Sequence, residues 1–363
     1  PDPTPADSPE GRALPVPGPT SLRLRRRTLL SAALALAAAG CTGPSAGPSG
    51  SPSAATTTPT ASGVRATIGL SYIPNVQFAP LYVAEADGLF DGVSAEVTLR
   101  HHGATEGLFT AFSSGTEDFL IAAGSEAMQA RAEGVDVVAV GSYFKAFPAQ
   151  VLVLDASPIR SLADLEGRSL GVPGRYGESW LAAQVALRTA GLSEADLRIV
   201  EVGYTQVAAL TTKKVDAVIG FSNNELVQLE ASGATARSLP VAPGTVPLVS
   251  ASLLTSSAYA KAHPEVVRQV VAAMTKGIER TAADTGRALD VSAAQIPGWT
   301  AAARPNAEAV LNATLALMSL REGVFVPALD PDQWTAMARF LDTAGLIKAQ
   351  VSAADAFTNE YAR

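Results

Sequence analysis

Ala66-Thr67-Ile68-Gly69-Leu70-Ser71 is a short apolar run; the loop 72–78 follows, then residues 79–87 with Pro80 near their start and Gly88 just past their end. The run reads as a strand. Pro80 suits the first turn of a helix, where its missing N–H costs nothing, and Gly88 is placed to stop that helix. Strand, loop and helix in this order are the first half of a unit whose next strand lies parallel. The rhythm repeats, with strands at 96–100, 119–123 and 135–141 and helices at 105–114 and 125–133. Such alternation predicts an α/β fold, a mostly parallel sheet with helices on its faces.

The pattern restarts after Pro148. Residues 150–154 carry the chain into a second series, with strands at 169–172, 198–202 and 215–219 and helices at 179–190, 206–212 and 224–231. Gly191 ends the first of these helices. Residues 246–254 bring the chain back, and the remainder from His263 is mainly helical. Two lobes are therefore expected, residues 64–148 plus 247–363 forming the first and 149–246 the second. At 363 residues the chain is long enough for both.

Ahead of these lobes the sequence has another character. Arg23, Arg25, Arg26 and Arg27 precede an apolar run over 29–39 that is too short to span a bilayer comfortably. The run ends in Ala38-Ala39-Gly40-Cys41, which resembles a bacterial lipobox, although Leu is the commoner residue where Ala38 stands. Residues 1–40 thus read as an export signal and Cys41 as a lipidation site. The pair Arg26-Arg27 also loosely resembles a twin-arginine signal. Residues 41–63 are Ser, Thr, Ala, Pro and Gly around that cysteine, have no charge, and read as a disordered tether. A chain of that length spans roughly 25 Å as a coil. The protein is expected outside the cytoplasm, on the cell membrane.

Composition excludes several classes. A formal charge of −7 argues against nucleic acid, which wants a basic surface. A single cysteine cannot form an internal disulfide or a cysteine-rich metal site. There are 3 histidines. His101 and His102 adjoin a strand end and His263 precedes a helix, so a metal site would need distant carboxylates. Gly177-Glu178-Ser179-Trp180-Leu181 begins like a nucleophile elbow but lacks its second glycine. Gly171, Gly174 and Gly177 have the wrong spacing for a dinucleotide loop. No catalytic residue, metal or cofactor is expected.

Ligands of open parallel sheets sit at the carboxyl ends of the strands. Six loops fall there: 72–78, 101–105, 124–126, 173–179, 203–206 and 222–225. They combine aromatic rings with neutral hydrogen-bonding groups, the mixture that binds flat ligands. Each residue also has a plainer role open to it. Ser125, Ser179 and Asn224 fit helix caps, Tyr72, Phe78 and Trp180 fit a core, and Gly174 and Gly177 fit a turn.

Ile68-Gly69-Leu70-Ser71-Tyr72-Ile73-Pro74-Asn75, with Ala79-Pro80-Leu81-Tyr82-Val83-Ala84 and Gly88-Leu89-Phe90, resembles the opening signature of the sulfonate, nitrate, taurine and thiamine-pyrimidine-precursor binding proteins of ABC importers. Ser161-Leu162-Ala163-Asp164-Leu165-Glu166-Gly167, Gly171-Val172-Pro173-Gly174 and Val215-Asp216-Ala217-Val218 are similar to that family's second lobe. The resemblance runs over about residues 66–278. It implies a two-lobed periplasmic-binding-protein fold of the type with two crossing strands, closing on a small-molecule ligand, and a monomer that partners an ABC permease and ATPase. Fungal pyrimidine synthases on this scaffold carry a cysteine-rich motif tied to iron; no cysteine follows Cys41, so the chain departs from them there.

By position, the cleft candidates are Tyr72, Asn75, Gln77, Phe78, Ser125, Glu126, Tyr176, Ser179, Tyr204, Gln206, Asn223, Asn224 and Glu225. Tyr72 and Tyr176 would clamp a ring from opposite lobes. Gln77, Gln206 and the two asparagines would bond its edge, and Glu126 or Glu225 would accept from an amino group. The loops hold one cation, Arg175. So many rings suit a planar heterocycle better than a sulfonate or nitrate, with a thiamine pyrimidine precursor first. A flavin is the nearest rival, because loops 72–78 and 203–206 also look like those of flavin-import binding proteins. The anchoring expectation has a direct check. Cys41→Ala should release the protein from membranes or block its processing, and unchanged membrane attachment on fractionation would reject lipidation.

Overall fold

A computed structural model describes residues 63–103, 106–244 and 246–362. The export signal, Cys41 and the tether before residue 63 lie outside the described residues. The strands run in chain order as β1 (Arg65–Leu70), β2 (Glu96–His101), β3 (Phe119–Ala123), β4 (Val138–Ser142), β5 (Ala149–Leu154), β6 (Ser169–Val172), β7 (Arg198–Glu201), β8 (Ala217–Phe221), β9 (Ala236–Pro240) and β10 (Ala251–Thr255). The helices are α1 (Ala79–Ala86), α2 (Thr110–Ser113), α3 (Gly124–Ala132), α4 (Gly177–Ala190), α5 (Gln206–Thr211), α6 (Glu225–Ala231), α7 (Ser257–Ala262), α8 (Pro264–Ala283), α9 (Thr285–Gln295), α10 (Arg304–Met318), α11 (Pro331–Thr343) and α12 (Ala353–Ala356).

Two five-stranded sheets result, ordered β2-β1-β3-β10-β4 and β7-β6-β8-β5-β9. In the first, β1 is parallel to β2 and β3, while β10 is antiparallel to β3 and β4. In the second, β6 is parallel to β7 and β8, while β5 is antiparallel to β8 and β9. Each sheet therefore contains one reversed strand, and in each it is the strand that follows a crossing from the other sheet. Strands β3, β4, β6 and β10 are buried at every position, as strands covered on both faces must be. Their apolar runs are continuous rather than alternating for this reason.

The helices cover those faces. In α8, Val267, Val270, Val271, Met274 and Ile278 are buried at helical spacing and lie in the core of the first sheet. Helix α11 places Trp334, fully buried, against Phe357 with ring centroids 5.3 Å apart and planes at 25°. Gly124, the first residue of α3, leaves the space this indole needs. A Cβ there would come within 2.9 Å of the Trp334 ring and 2.8 Å of Val249.

Some elements differ from the sequence reading. Of the helix expected over 105–114, only Thr110–Ser113 is helical among the described residues. Glu106 is tied back to Arg100 at 2.8 Å and Gly107 follows it, so the helix starts later. The strand expected at 215–219 lies two residues further on, because Asp216 accepts hydrogen bonds from Ser169 N and Oγ and fixes a turn. Ser125 is not the cap of α3. Ala123 occupies that position, and the Glu126 carboxylate reaches back to accept from its N–H at 3.1 Å.

Trp334 gives the fold a measurable weak point. Trp334→Ala should cost about 3–5 kcal/mol of stability, since the indole is fully buried against Phe357 and the start of α3 and its loss leaves a cavity. Chemical denaturation of wild type and variant would read this directly, and a change below about 1 kcal/mol would show that α11 contributes little.

Candidate functional site

A cavity of about 550 Å³ lies between the two sheets, at the carboxyl ends of their parallel strands. All six loops picked out in the sequence contribute. One wall takes Ser71, Tyr72, Gln77 and Phe78 after β1, His102 after β2, and Glu126 in the first turn of α3. The other takes Pro173 and Tyr176 after β6, Glu178 and Ser179 in α4, Tyr204 and Gln206 after β7, and Asn224 and Glu225 after β8.

The β1 loop is held from beneath. Asn75 accepts from the Gln77 N–H at 3.0 Å and starts a single 3-10 turn over Val76–Phe78. The Tyr143 hydroxyl donates to the Gln77 carbonyl at 2.8 Å. His101 lies under the loop, its Nδ1 3.0 Å from the Tyr72 carbonyl and its Nε2 2.8 Å from the Tyr82 hydroxyl. A carbonyl only accepts, so Nδ1 carries the proton and Nε2 accepts from Tyr82. Burial lowers the His101 pKa, which suits this neutral form. Phe78 completes the support, edge-on to His101 at 5.5 Å, and is itself buried in the core.

The aromatic rings meet across the cleft. Tyr72 and Tyr204 touch edge to face, centroids 4.8 Å apart and planes at 87°. The ring opposite Tyr72 is thus Tyr204 rather than Tyr176. Tyr176 is 54% exposed and Tyr204 36% exposed, so both sit at the rim. Burial, with the neighbouring Tyr176 hydroxyl, pushes the Tyr204 hydroxyl up to about 12.

Carboxyl groups dominate the polar lining. Glu126 is pushed up to about 7 by burial, against the pull of N–H groups from Ala123 and Glu178. Glu178 is pushed up to about 8, first by burial and then by the charge of Glu126, while the Ser250 hydroxyl donates to it at 2.8 Å. Glu225 is raised by burial too; it accepts from Phe221 N at 2.8 Å and from the Asn224 amide at 2.9 Å. His102 faces a fully buried carboxylate, Glu117, at 2.9 Å, and Arg100 donates to the same group at 2.5 Å. Gly69 makes this arrangement possible: a Cβ at residue 69 would lie 2.3 Å from Glu117.

No lysine or arginine is among the described residues that line the cavity. Arg175, the cation of the sequence reading, turns away to pair with Glu194 and to lie over the Trp180 ring at 4.9 Å.

Three candidates stand outside the lining. Asn75 acts through Gln77, as above. Asn223 donates to Thr314 of α10 at 3.0 Å, a bond between the second-sheet loops and a helix that also packs on α9. Ser125 is buried in α3, with no hydrogen-bond partner for its hydroxyl. Conversely, Tyr143, Phe144 and Glu178 line the cavity without having been singled out. Tyr143 and Phe144 follow β4 as the other loops follow their strands, and this was the usable signal. Glu178 stood inside a quoted loop, but its neighbours drew the attention as rings and caps.

With this geometry in view, comparison with known proteins is informative. The family model described as NMT1/THI5 like matches residues 75–288. The riboflavin-binding protein RibY of Chloroflexus aurantiacus is 34% identical over 301 residues, 82% of this chain and 86% of that protein. The formylaminopyrimidine-binding protein of Halalkalibacterium halodurans is 26% identical over 299 residues, 80% of this chain and 88% of the other. Among solved structures, the alkanesulfonate-binding protein SsuA from Xanthomonas axonopodis pv. citri, bound to MOPS, superposes with a TM-score of 0.62 at 23% identity, covering 82% of this chain and 99% of that one. The last likeness shows the two-lobed periplasmic-binding-protein fold. The chain belongs to the NMT1/THI5-like family.

Proposed function

We propose that this protein is the solute-binding component of an ABC importer and that its ligand is a flavin such as riboflavin. The observation that carries the choice of ligand is the cavity lining: four glutamates, Glu106, Glu126, Glu178 and Glu225, several aromatic rings, and no lysine or arginine among the described residues. A sulfonate or nitrate needs compensating positive charge. Helix N-termini could supply it in part, yet three of those that open on the cavity already carry Glu126, Glu178 and Glu225 in their first turns. A neutral heterocycle with N–H donors and a flat face suits the same wall.

Size separates the heterocycles. A cavity of about 550 Å³ is generous for a single pyrimidine ring and fits a tricyclic one with a polar chain. The kinship with RibY supports the same reading. The sequence alone favoured a pyrimidine precursor over a flavin, and these two observations reverse that order. We assign residues 64–148 plus 247–363 to one lobe and 149–246 to the other, an anchor to Cys41, a place outside the cytoplasm, and a permease and ATPase as partners of a monomer. Binding, not turnover, is the proposed activity.

Calorimetry with riboflavin, a thiamine pyrimidine precursor and an alkyl sulfonate decides the ligand. Riboflavin should bind, its fluorescence quenched by the tyrosines. Tyr72→Ala and Tyr204→Ala should each weaken binding by about 1–3 kcal/mol. Binding of the pyrimidine precursor alone would move the assignment to that ligand, and binding of the sulfonate alone, indifferent to both substitutions, would sink the heterocycle reading.

A further inference from the structure

Glu126 and Glu178 belong to different lobes. Glu126 stands in the first turn of α3, which follows β3 of the first sheet. Glu178 stands in the first turn of α4, which follows β6 of the second. The two helices pack together at this point, where the Glu178 backbone N–H favours the ionised form of Glu126. Gly177 lets the backbone come so close. Its φ is +73°, and a Cβ there would lie 3.0 Å from Glu126 Oε1. Glu126 is buried, and Glu178 keeps part of its surface open, a surface that lines the cavity.

Among the described residues, no lysine or arginine lines the cavity beside the pair. Ala123 N–H and Ser250 Oγ donate to the two carboxyls, one to each. On the first-sheet side the titratable groups are His102, Glu117, Arg100 and Glu106, which are bonded among themselves. Tyr204, Tyr176 and Glu225 face it from the second, and none of them carries positive charge. At the far end of α3, Arg131 bonds the Val137 carbonyl, and Arg175 beside α4 pairs with Glu194. On the other elements packed against the two helices, Asp164 is turned to Ser161 and Asp355 is exposed. Two like charges in such a site repel each other strongly, and one proton between them removes the repulsion. The helix N-termini favour the ionised forms, but each contributes only a fraction of what burial and mutual repulsion cost.

We propose that Glu126 and Glu178 form a single proton-binding site that joins the two lobes, so that closure of the cleft takes up a proton. In the closed form burial raises Glu126 from an ordinary 4.5 to about 7, and burial together with the Glu126 charge raises Glu178 from 4.5 to about 8. In an opened form they face water at ordinary values. The closed form therefore holds more protons. Its advantage is complete below the ordinary carboxyl range and is lost as pH rises through about 7 and about 8. The proposal rests on the two-lobed binding reading but not on which ligand is bound.

Two measurements on the ligand-free full chain test it. An infrared titration should show a protonated carboxyl persisting near neutral pH, with its midpoint moved towards acid in Glu126→Gln and in Glu178→Gln, because the partner charge is gone. Small-angle scattering should show expansion between about pH 6 and about pH 9 in the wild type, and the expansion should move to lower pH in each variant. A titration with no carboxyl protonated above about pH 6, or an expansion at unchanged pH in both variants, would overturn the proposal. Failure of riboflavin to bind would refute the flavin assignment and leave both readouts standing.

Discussion

Everything in this molecule depends on the two reversed strands, β5 and β10. Each enters a sheet made otherwise of parallel strands, and each is the place where the chain arrives from the other lobe. Because both are hydrogen-bonded on both sides, neither sheet is complete until the chain has crossed twice. The parallel strands then bring their carboxyl ends to one cleft from two directions. That geometry places six loops around a single volume, and the chemistry of the loops follows from where they are held.

The lining is arranged to keep charge low at the centre and satisfied at the edge. Glu117 is buried completely, but Arg100 and His102 meet it on one side and Glu106 draws the same arginine outward. Arg175 spends its charge on Glu194 at the surface. The cavity is left with carboxyl groups whose ionisation is disfavoured and with rings that ask for a flat partner. A polar ligand without net negative charge meets little electrostatic resistance there, whereas an anion meets carboxyl groups and no lysine or arginine among the described lining residues.

Much of this was legible in the residues. Continuous apolar runs such as 119–123, bounded by Gly and Ser, could only be strands covered on both faces, and the loops after them pointed to the cleft. What the sequence hid were relations between distant residues. Ser125 has the type of a cap, but α3 starts one residue earlier, and Glu126 reaches back to accept from the Ala123 N–H while the Ser125 hydroxyl has no partner. Tyr204 is indistinguishable from Tyr176 by local pattern, and only the crossing of the chain sets it against Tyr72. Glu178 looked like an ordinary acidic residue at a helix start, and its meaning arises from Glu126 on the other lobe. The resemblance to importer-binding proteins carried the fold, which the solved neighbours share, but the ligand depends on pairings that no single stretch contains.

Strand β1 begins at Arg65 and delivers Ser71 and Tyr72 to the cavity from its other end. Its six residues span about 20 Å. Whatever precedes residue 65 therefore joins the fold at the pole facing away from the mouth, at a strand flanked by β2 and β3 inside the first sheet. A pull along the chain at this point loads β1 in shear against both neighbours, the direction in which hydrogen bonds share force.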